Sequence, residues 1–393
     1  MPDDHGSGGE GPWTLVVGMH RSNTSALTGL LAGMGMSLPP ESDIVSGMFD
    51  NPTHFESKAL IALNDRLLGS LGGRWDAPPE LRPGWETDEL VTAYDDEARA
   101  TLLRIYGGPG PKVWKDPRLC LLLPYWIRHL HGPTPVVFLW RSPNEVRDSL
   151  HRRDGSTASH GLALWERYNR AAMDGLAGRP VYVLNSDELI DDPKGTAATL
   201  AGWLERQGVT PAGAQEWDLE SAAAAVSPRL THRADSGPTG LPPEITHMAA
   251  ALEQLAGPHD SLPTTAFDPT PGWATDALVQ YGRLLAVQDD LTVKWTDALD
   301  AYADLEANYL ALEEVYRNTV GLAGERLRLI ESLEAAATAS EEELERHRAE
   351  IARARAEIAR LELELDRVRS SRSWALTAPL RRVGRRGGSE PDG

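Results

Sequence analysis

At 393 residues the chain is longer than one small core organises, so one domain of about 200 to 250 residues plus a further part is expected. A hydrophobic content of 41% is ordinary for a soluble protein, and a formal net charge of -19 is the opposite of the basic footprint that general nucleic-acid binding needs. The longest apolar stretches, such as Leu119 to Leu123, are too short to cross a bilayer, and the single Cys120 can form no intrachain disulfide, as suits a reducing cytoplasm.

In chain order, Met1 to Gly11 is Gly-rich and acidic, with neither a basic nor an apolar signal region, and reads as part of a disordered leader over 1–12. Trp13 to Gly18 reads as a buried strand running into a polar turn, and Ala26 to Met36 as the helix after it. Pro39 to Thr53 is a loop, Phe55 to Leu71 has helical periodicity, and a Pro-rich connection precedes a helix over Asp88 to Tyr106. Val113 and Trp114 end a strand at Lys115-Asp116-Pro117-Arg118, and Cys120 to His129 is a helix interrupted or started near Pro124. Cys120 itself is expected to be a small core residue. Pro135 to Trp140, apolar in succession, is the clearest strand and suits a parallel sheet buried on both faces. Helices over Asn144 to Arg152 and Leu162 to Leu176, a strand over Pro180 to Leu184 and a helix over Gly195 to Gln207 follow. This alternation predicts an α/β fold, a P-loop-like, doubly wound and largely parallel sheet flanked by helices.

From Ser236 to Gly272 the composition turns to Pro, Gly, Thr and Ala, which marks a linker or loosely packed margin; linker and helix start together are set at 241–290. Trp295, Tyr302, Tyr309 and Tyr316 then recur every seventh residue, with Ala298, Leu305, Leu312 and Thr319 three positions after each. After Gly321 and Gly324 a second series, Leu344, Ile351, Ile358 and Leu365, pairs with His347, Ala354, Leu361 and Val368. This predicts a long α-helical coiled coil or helical hairpin over 291–370, through which the chain would form homo-oligomers. At heptad spacing the aromatic stripe is seam rather than a sugar-stacking platform. The tail over 371–393 mixes Trp374 and Leu380 with Arg381, Arg382, Arg385 and Arg386; docking on an anionic membrane surface or a partner, and a disordered solubilising tail, both remain open.

A strand that ends at a glycine and turns into a helix directs free amides and the positive end of the helix dipole at one point, where an anion fits. Gly18 to Ser25 has that pattern, but Asn23 and Thr24 stand where the triphosphate loop has its second glycine and its lysine. The cation is Arg21, accompanied by the hydroxyls of Ser22, Thr24 and Ser25. Gly18, Arg21, Ser22, Thr24 and Ser25 resemble the 5′-phosphosulfate loop of the PAPS-dependent sulfotransferase superfamily, roughly G-x-x-R-S-G-T-S/T in bacterial members; Asn23 stands at the family's glycine. Arg141, leaving the strand Pro135 to Trp140, and Ser149, eight residues on, match the family's 3′-phosphate pair. A guanidinium fork and a helix hydroxyl suit that phosphate. Trp114-Lys115-Asp116-Pro117-Arg118 is similar to the K-D-P-R segment of bacterial carbohydrate-type sulfotransferases, and Asn185 to Pro193 and Ser227 to Leu230 extend the likeness.

The resemblance covers about Trp13 to Arg233 and implies a sulfotransferase domain over 13–240, with 3′-phosphoadenosine-5′-phosphosulfate (PAPS) as donor and a glycan, carbohydrate or other hydroxylated small molecule as acceptor. Gly18, Arg21, Ser22, Asn23, Thr24, Ser25, Arg141 and Ser149 would then bind the donor. Arg21 and Lys115 would stabilise the transferring group. Glu56 is the implied general base, with His54 and Asp116 in reserve; the alternative for Glu56 is a carboxylate at a helix N-terminus. His20 either contacts the bridging oxygen or faces solvent. Arg118 would bind acceptor or donor, and with His54 and Asp116 it forms the expected substrate group. No His, Cys and Asp spacing suggests a metal. Localisation is expected to be cytoplasmic, with the inner membrane surface in reach if the tail docks there. The competing expectations are a nucleotide-dependent P-loop kinase and a non-catalytic coiled-coil scaffold.

Overall fold

Five apolar or β-branched residues, Trp13–Val17, form β1, and every one is buried. The computed structural model describes residues 11–46, 53–213, 216–226, 240–265, 267–318 and 323–370. The leader up to residue 10, Ser227 to Leu230 and the tail over 371–393 therefore lie outside the described residues. After β1 come α1 (Thr24–Gly33), β2 (Ile44–Ser46), β3 (Thr53–Ser57), α2 (Lys58–Ser70), α3 (Glu89–Thr92), α4 (Asp95–Tyr106), β4 (Lys112–Lys115) and α5 (Leu119–Ile127). They are followed by β5 (Val136–Trp140), α6 (Pro143–Asp154), α7 (Ala158–Leu176), β6 (Val181–Asn185), α8 (Ser186–Asp191), α9 (Pro193–Arg206) and α10 (Leu219–Ala225). The described chain continues through α11 (Pro243–Gln254), β7 (Gly257–His259), α12 (Gly272–Asn318) and α13 (Ala323–Ser370).

The main sheet runs β4-β1-β5-β6-β7, parallel except for β7, which pairs antiparallel with β6. Side-chain alternation divides the core between its faces. Leu15, Val17, Val136 and Phe138 join one apolar cluster with residues of α2, α4, α5, α7 and α11. Val16, Val137 and Leu139 join the other, with α1, α9 and α10. Helices thus cover both faces, which is why these strands are apolar in succession. Cys120 is fully buried in the first cluster, where burial pushes its thiol pKa up.

Local chemistry sets the helix ends. Pro143 occupies the first turn of α6 and Gly155, at φ 67, ends it, so this helix outruns the expected Asn144 to Arg152. Ser57 caps α2 by accepting from the Leu60 amide, so the expected start at Phe55 moves to Lys58. The residues just before it belong instead to β3, which pairs antiparallel with β2. The stretch expected to be a linker also differs. Pro243 takes a helix-starting position in α11, Ile245, Met248 and Leu252 are buried, and β7 completes the sheet.

The chain divides into two compact units, Met1–Val279 and Gln280–Gly393. In the second, the helices of 47 and 48 residues that contribute to it are continuous where described. Gly324 lies inside α13, and Gly321 lies outside the described residues. Trp295, Tyr302, Leu305, Tyr309, Leu344, His347, Ile351 and Ile358 are half-buried, whereas Leu361 is exposed. The Arg348 guanidinium lies 5.7 Å from the Trp295 ring centroid. Among the described residues no helix is long and apolar enough to cross a membrane.

Candidate active site

The parallel strands deliver β1, β4, β5 and β6 to one carboxyl edge, and the strand order branches on either side of β1, the position where open α/β sheets form a crevice. At Gly18 a Cβ would stand 2.4 Å from the Leu139 carbonyl oxygen and 2.8 Å from Thr24 Cγ2, so only glycine lets β5 pass this close. Arg21 and Asn23, flanking Ser22, are left-handed at φ 67 and 63. Asparagine tolerates that conformation, so the turn forms without a glycine at this position.

The two anion motifs converge here. Arg21 Nε donates to Ser149 Oγ at 2.8 Å across 128 residues of sequence. Arg141 Nη1 donates to the Arg21 carbonyl oxygen at 3.1 Å, and Arg141 Nε donates to Glu145 at 3.0 Å. Trp165 Nε1 donates to the Arg141 carbonyl at 2.9 Å, fixing the backbone where β5 ends. Arg141 and Ser149 are buried at 5% and 3% exposure. A guanidinium so deeply placed is stable only with partners, and Glu145 is one.

Lys115 ends β4 at 2% exposure; its Nζ donates to the His54 carbonyl at 2.8 Å and forms an ion pair with Glu56. The expected base and one expected cation are therefore partners. Glu56 is on β3 rather than at a helix N-terminus, which corrects the helical alternative. Between His54 and Glu56, Phe55 takes φ 58, an unfavourable value for an aromatic residue. The His54 carbonyl also accepts from Ser25 Oγ at 3.5 Å.

One cleft is lined by His20, Arg21, Asn23, Thr24, Ser25, His54, Glu56, Lys115, Arg141 and Ser149, together with Ala26, Pro117, Arg152 and Arg153. Ser22 is buried at 1% beneath the loop. Asp116 and Arg118, expected to bind substrate, do not line the cleft. Asp116 accepts from Asn64 Nδ2 at 2.8 Å and from the Arg118 amide at 2.9 Å, and Arg118 Nε donates to Asp65 at 2.6 Å. This buried network ties β4 to α2. Arg152 and Arg153, three and four residues beyond Ser149 on α6, were not singled out in the sequence; their helical spacing from Ser149 was the available signal.

The His20 ring lies 4.7 Å from Trp75 and 5.6 Å from Tyr168, centroid to centroid, and its buried Nε2 has no hydrogen-bond partner among the described residues. Burial first, then the positive charges of Arg118, Arg153, Lys115 and Arg21, hold its pKa well below the ordinary value. Burial also lowers His54, against the opposing pull of Glu56 and with the help of Lys115 and Arg21. His129 and His160 are lowered chiefly by burial as well. In the unfolded chain these rings take up protons near pH 6.5, so the unfolded state binds more protons just below that pH. Stability should be full above about pH 6.5 and fall as the pH drops through it. Glu166, Asp174 and Glu188, raised by burial, act oppositely in a more acidic window. Denaturant melts from about pH 7.5 to 5.5 should show the decline, with a shallower slope for His20→Phe, which keeps the aromatic contact and removes the titrating ring.

Among the described residues no group of three or more His, Cys, Asp and Glu side chains is gathered as a metal site requires. Neither a protein-family model nor a curated protein matches the chain. Among solved structures, the sulfotransferase domain from the curacin biosynthetic pathway is similar at a TM-score of 0.37 and 14% identity, over 62% of this chain and 97% of that one. The sulfotransferase domain from the Synechococcus PCC 7002 olefin synthase gives 0.32 and 18%, over 70% and 94%. Similarity at that level leaves the function to be argued from the site itself.

Proposed function

We propose that this chain is a sulfotransferase that moves a sulfuryl group from PAPS to an acceptor hydroxyl. The observation that carries the proposal is the Arg21 to Ser149 hydrogen bond, with Arg141 donating to the Arg21 carbonyl, because it joins a helix-start anion loop to a second anion pair in one cleft. A donor with a phosphosulfate at one end and a separate 3′-phosphate at the other matches two such sites; a triphosphate would ask for a lysine where Thr24 stands. The residues fit the donor in a further respect: Gly18 admits no side chain into the cradle, and α1 opens without a side-chain cap on its first amides.

In this scheme Arg141 and Ser149 hold the 3′-phosphate, and the start of α1 holds the 5′-phosphosulfate. In-line transfer spreads charge over the equatorial oxygens and onto the leaving phosphate, so oriented cations matter more than covalent chemistry. Glu56 takes the proton of the attacking hydroxyl. Once neutral, it no longer holds Lys115, whose ammonium then turns to the charge developing on the leaving phosphate. His54, held neutral by burial beside the pair, is the reserve base. The likeness of Lys115 to Arg118 to a carbohydrate-type segment supports a carbohydrate or other hydroxylated small molecule as acceptor, handled in the cytoplasm. The heptad spacing of the sequence is the ground for self-association through the long helices, which sedimentation of the full chain at several concentrations tests.

Calorimetry separates the readings of the cleft. Adenosine 3′,5′-bisphosphate should bind tightly and ATP weakly; preference for ATP would favour a kinase, and binding of neither would favour a scaffold. Transfer of labelled sulfate to a panel of hydroxylated acceptors should be lost in Glu56→Gln, and undiminished turnover in that variant would remove Glu56 as the base.

A further inference from the structure

Asn23 departs from the habit of its residue type at a helix start. An asparagine that begins a helix ordinarily turns its side chain back to accept from an amide of the first turn. Here it makes no such cap. Its Nδ2 instead donates to Ser186 Oγ at 2.7 Å, across 163 residues of sequence. Ser186 is fully buried, and α8, which it opens, is capped by Asn185, whose side chain accepts from the Asp187 amide at 2.8 Å. The serine hydroxyl is thus left for Asn23. Meanwhile the backbone ladder of α1 begins only where the Ala26 and Leu27 amides return to the Asn23 carbonyl, at 3.0 and 3.2 Å.

We infer that Asn23 is a positioning residue of the donor site: its left-handed backbone and its tie to Ser186 fix the loop against the end of β6 and keep the start of α1 turned to the ligand anion. The inference rests on the donor site proposed above. A glycine at this position reaches the same φ without strain but provides no tie, so the asparagine exchanges backbone freedom for a fixed loop. The gain is in preorganisation, since a loop already held in its binding conformation loses less freedom when the anion arrives.

The test is a cycle of Asn23→Gly, Ser186→Ala and the double variant in the full chain, titrated with adenosine 3′,5′-bisphosphate. Loss of one neutral side-chain hydrogen bond predicts that each single variant weakens binding about 3- to 10-fold. The double variant should bind no more weakly than the weaker single, because both remove the same tie. Asn23→Ala, which also resists the left-handed backbone, should bind less well than Asn23→Gly. Turnover at saturating PAPS should stay near wild type in Ser186→Ala, whose hydroxyl is buried outside the cleft, while the KM for PAPS rises, a split that a general loss of folded protein would not produce. Wild-type affinity in Asn23→Gly, or fully additive effects in the double variant, would overturn the inference and leave the donor site standing. A wild-type chain that does not bind the bisphosphate would overturn both.

Discussion

Arg141→Ala is expected to lower affinity for adenosine 3′,5′-bisphosphate by about 30-fold to a few thousand-fold, because truncating one member of a buried, hydrogen-bonded charge set typically costs about 2–5 kcal/mol. At this residue the side chain binds Glu145 and the Arg21 carbonyl, and the residue's own carbonyl receives Trp165. The last survives any substitution that preserves the backbone; the first two do not. Glu145, 8% exposed, would be left buried without that partner, so the melting temperature should fall as well. Arg141→Lys separates the two effects. A lysine keeps a positive charge near Glu145 but lacks the planar fork, so much of the stability should return while bisphosphate affinity stays low. Affinity for adenosine 5′-phosphate, which lacks the 3′-phosphate, should change far less in either variant. Equal losses for both nucleotides would contradict the assignment of Arg141 to the 3′-phosphate.

Lys115→Met should reduce transfer by about 100- to 1000-fold, the range seen when one oriented donor is removed from a developing oxyanion. It should also destabilise the fold, because Glu56 at 13% side-chain exposure loses the ammonium that neutralises it, and breaking a buried pair from one side costs about 3–5 kcal/mol. Lys115→Met combined with Glu56→Gln should recover much of that stability, since no charge is then left uncompensated, yet transfer should remain at the level of the single variant or below. Melting curves and single-turnover rates on the same preparations distinguish these outcomes. Recovery of transfer together with stability would mean that Lys115 serves only the fold.

The sheet was legible because its signal is dense. Val136 to Trp140 is apolar throughout and Trp13 to Val17 is apolar but for the β-branched Thr14, the pattern of strands covered on both faces. The anion motifs were legible for a related reason: Gly18 and Arg141 occupy the ends of those strands, and parallel pairing of β1 with β5 brings the ends together. Glu56 was misplaced because the choice between strand and helix at Thr53–Ser57 lies with the pairing to β2 and the Ser57 cap, which local periodicity does not report. Asp116 and Arg118 adjoin Lys115 in sequence but turn into a network completed by Asn64 and Asp65, half a hundred residues away. The segment containing Pro243 resembled a linker in composition, although a proline in the first helical turn begins a helix rather than breaking it.

β7 carries a practical consequence. It closes the sheet from a position later in the chain than every other strand, and α11 and the first turns of α12 contribute Ile245, Met248, Leu252, Ala274, Ala277 and Leu278 to the same apolar cluster as β1. A fragment cut near residue 240, where the sequence suggests a boundary, would leave the outer edge of β6 open to pairing with other chains and would uncover this cluster, the two conditions that favour aggregation. Excision of the first compact unit for crystallisation should therefore keep the chain through Val279.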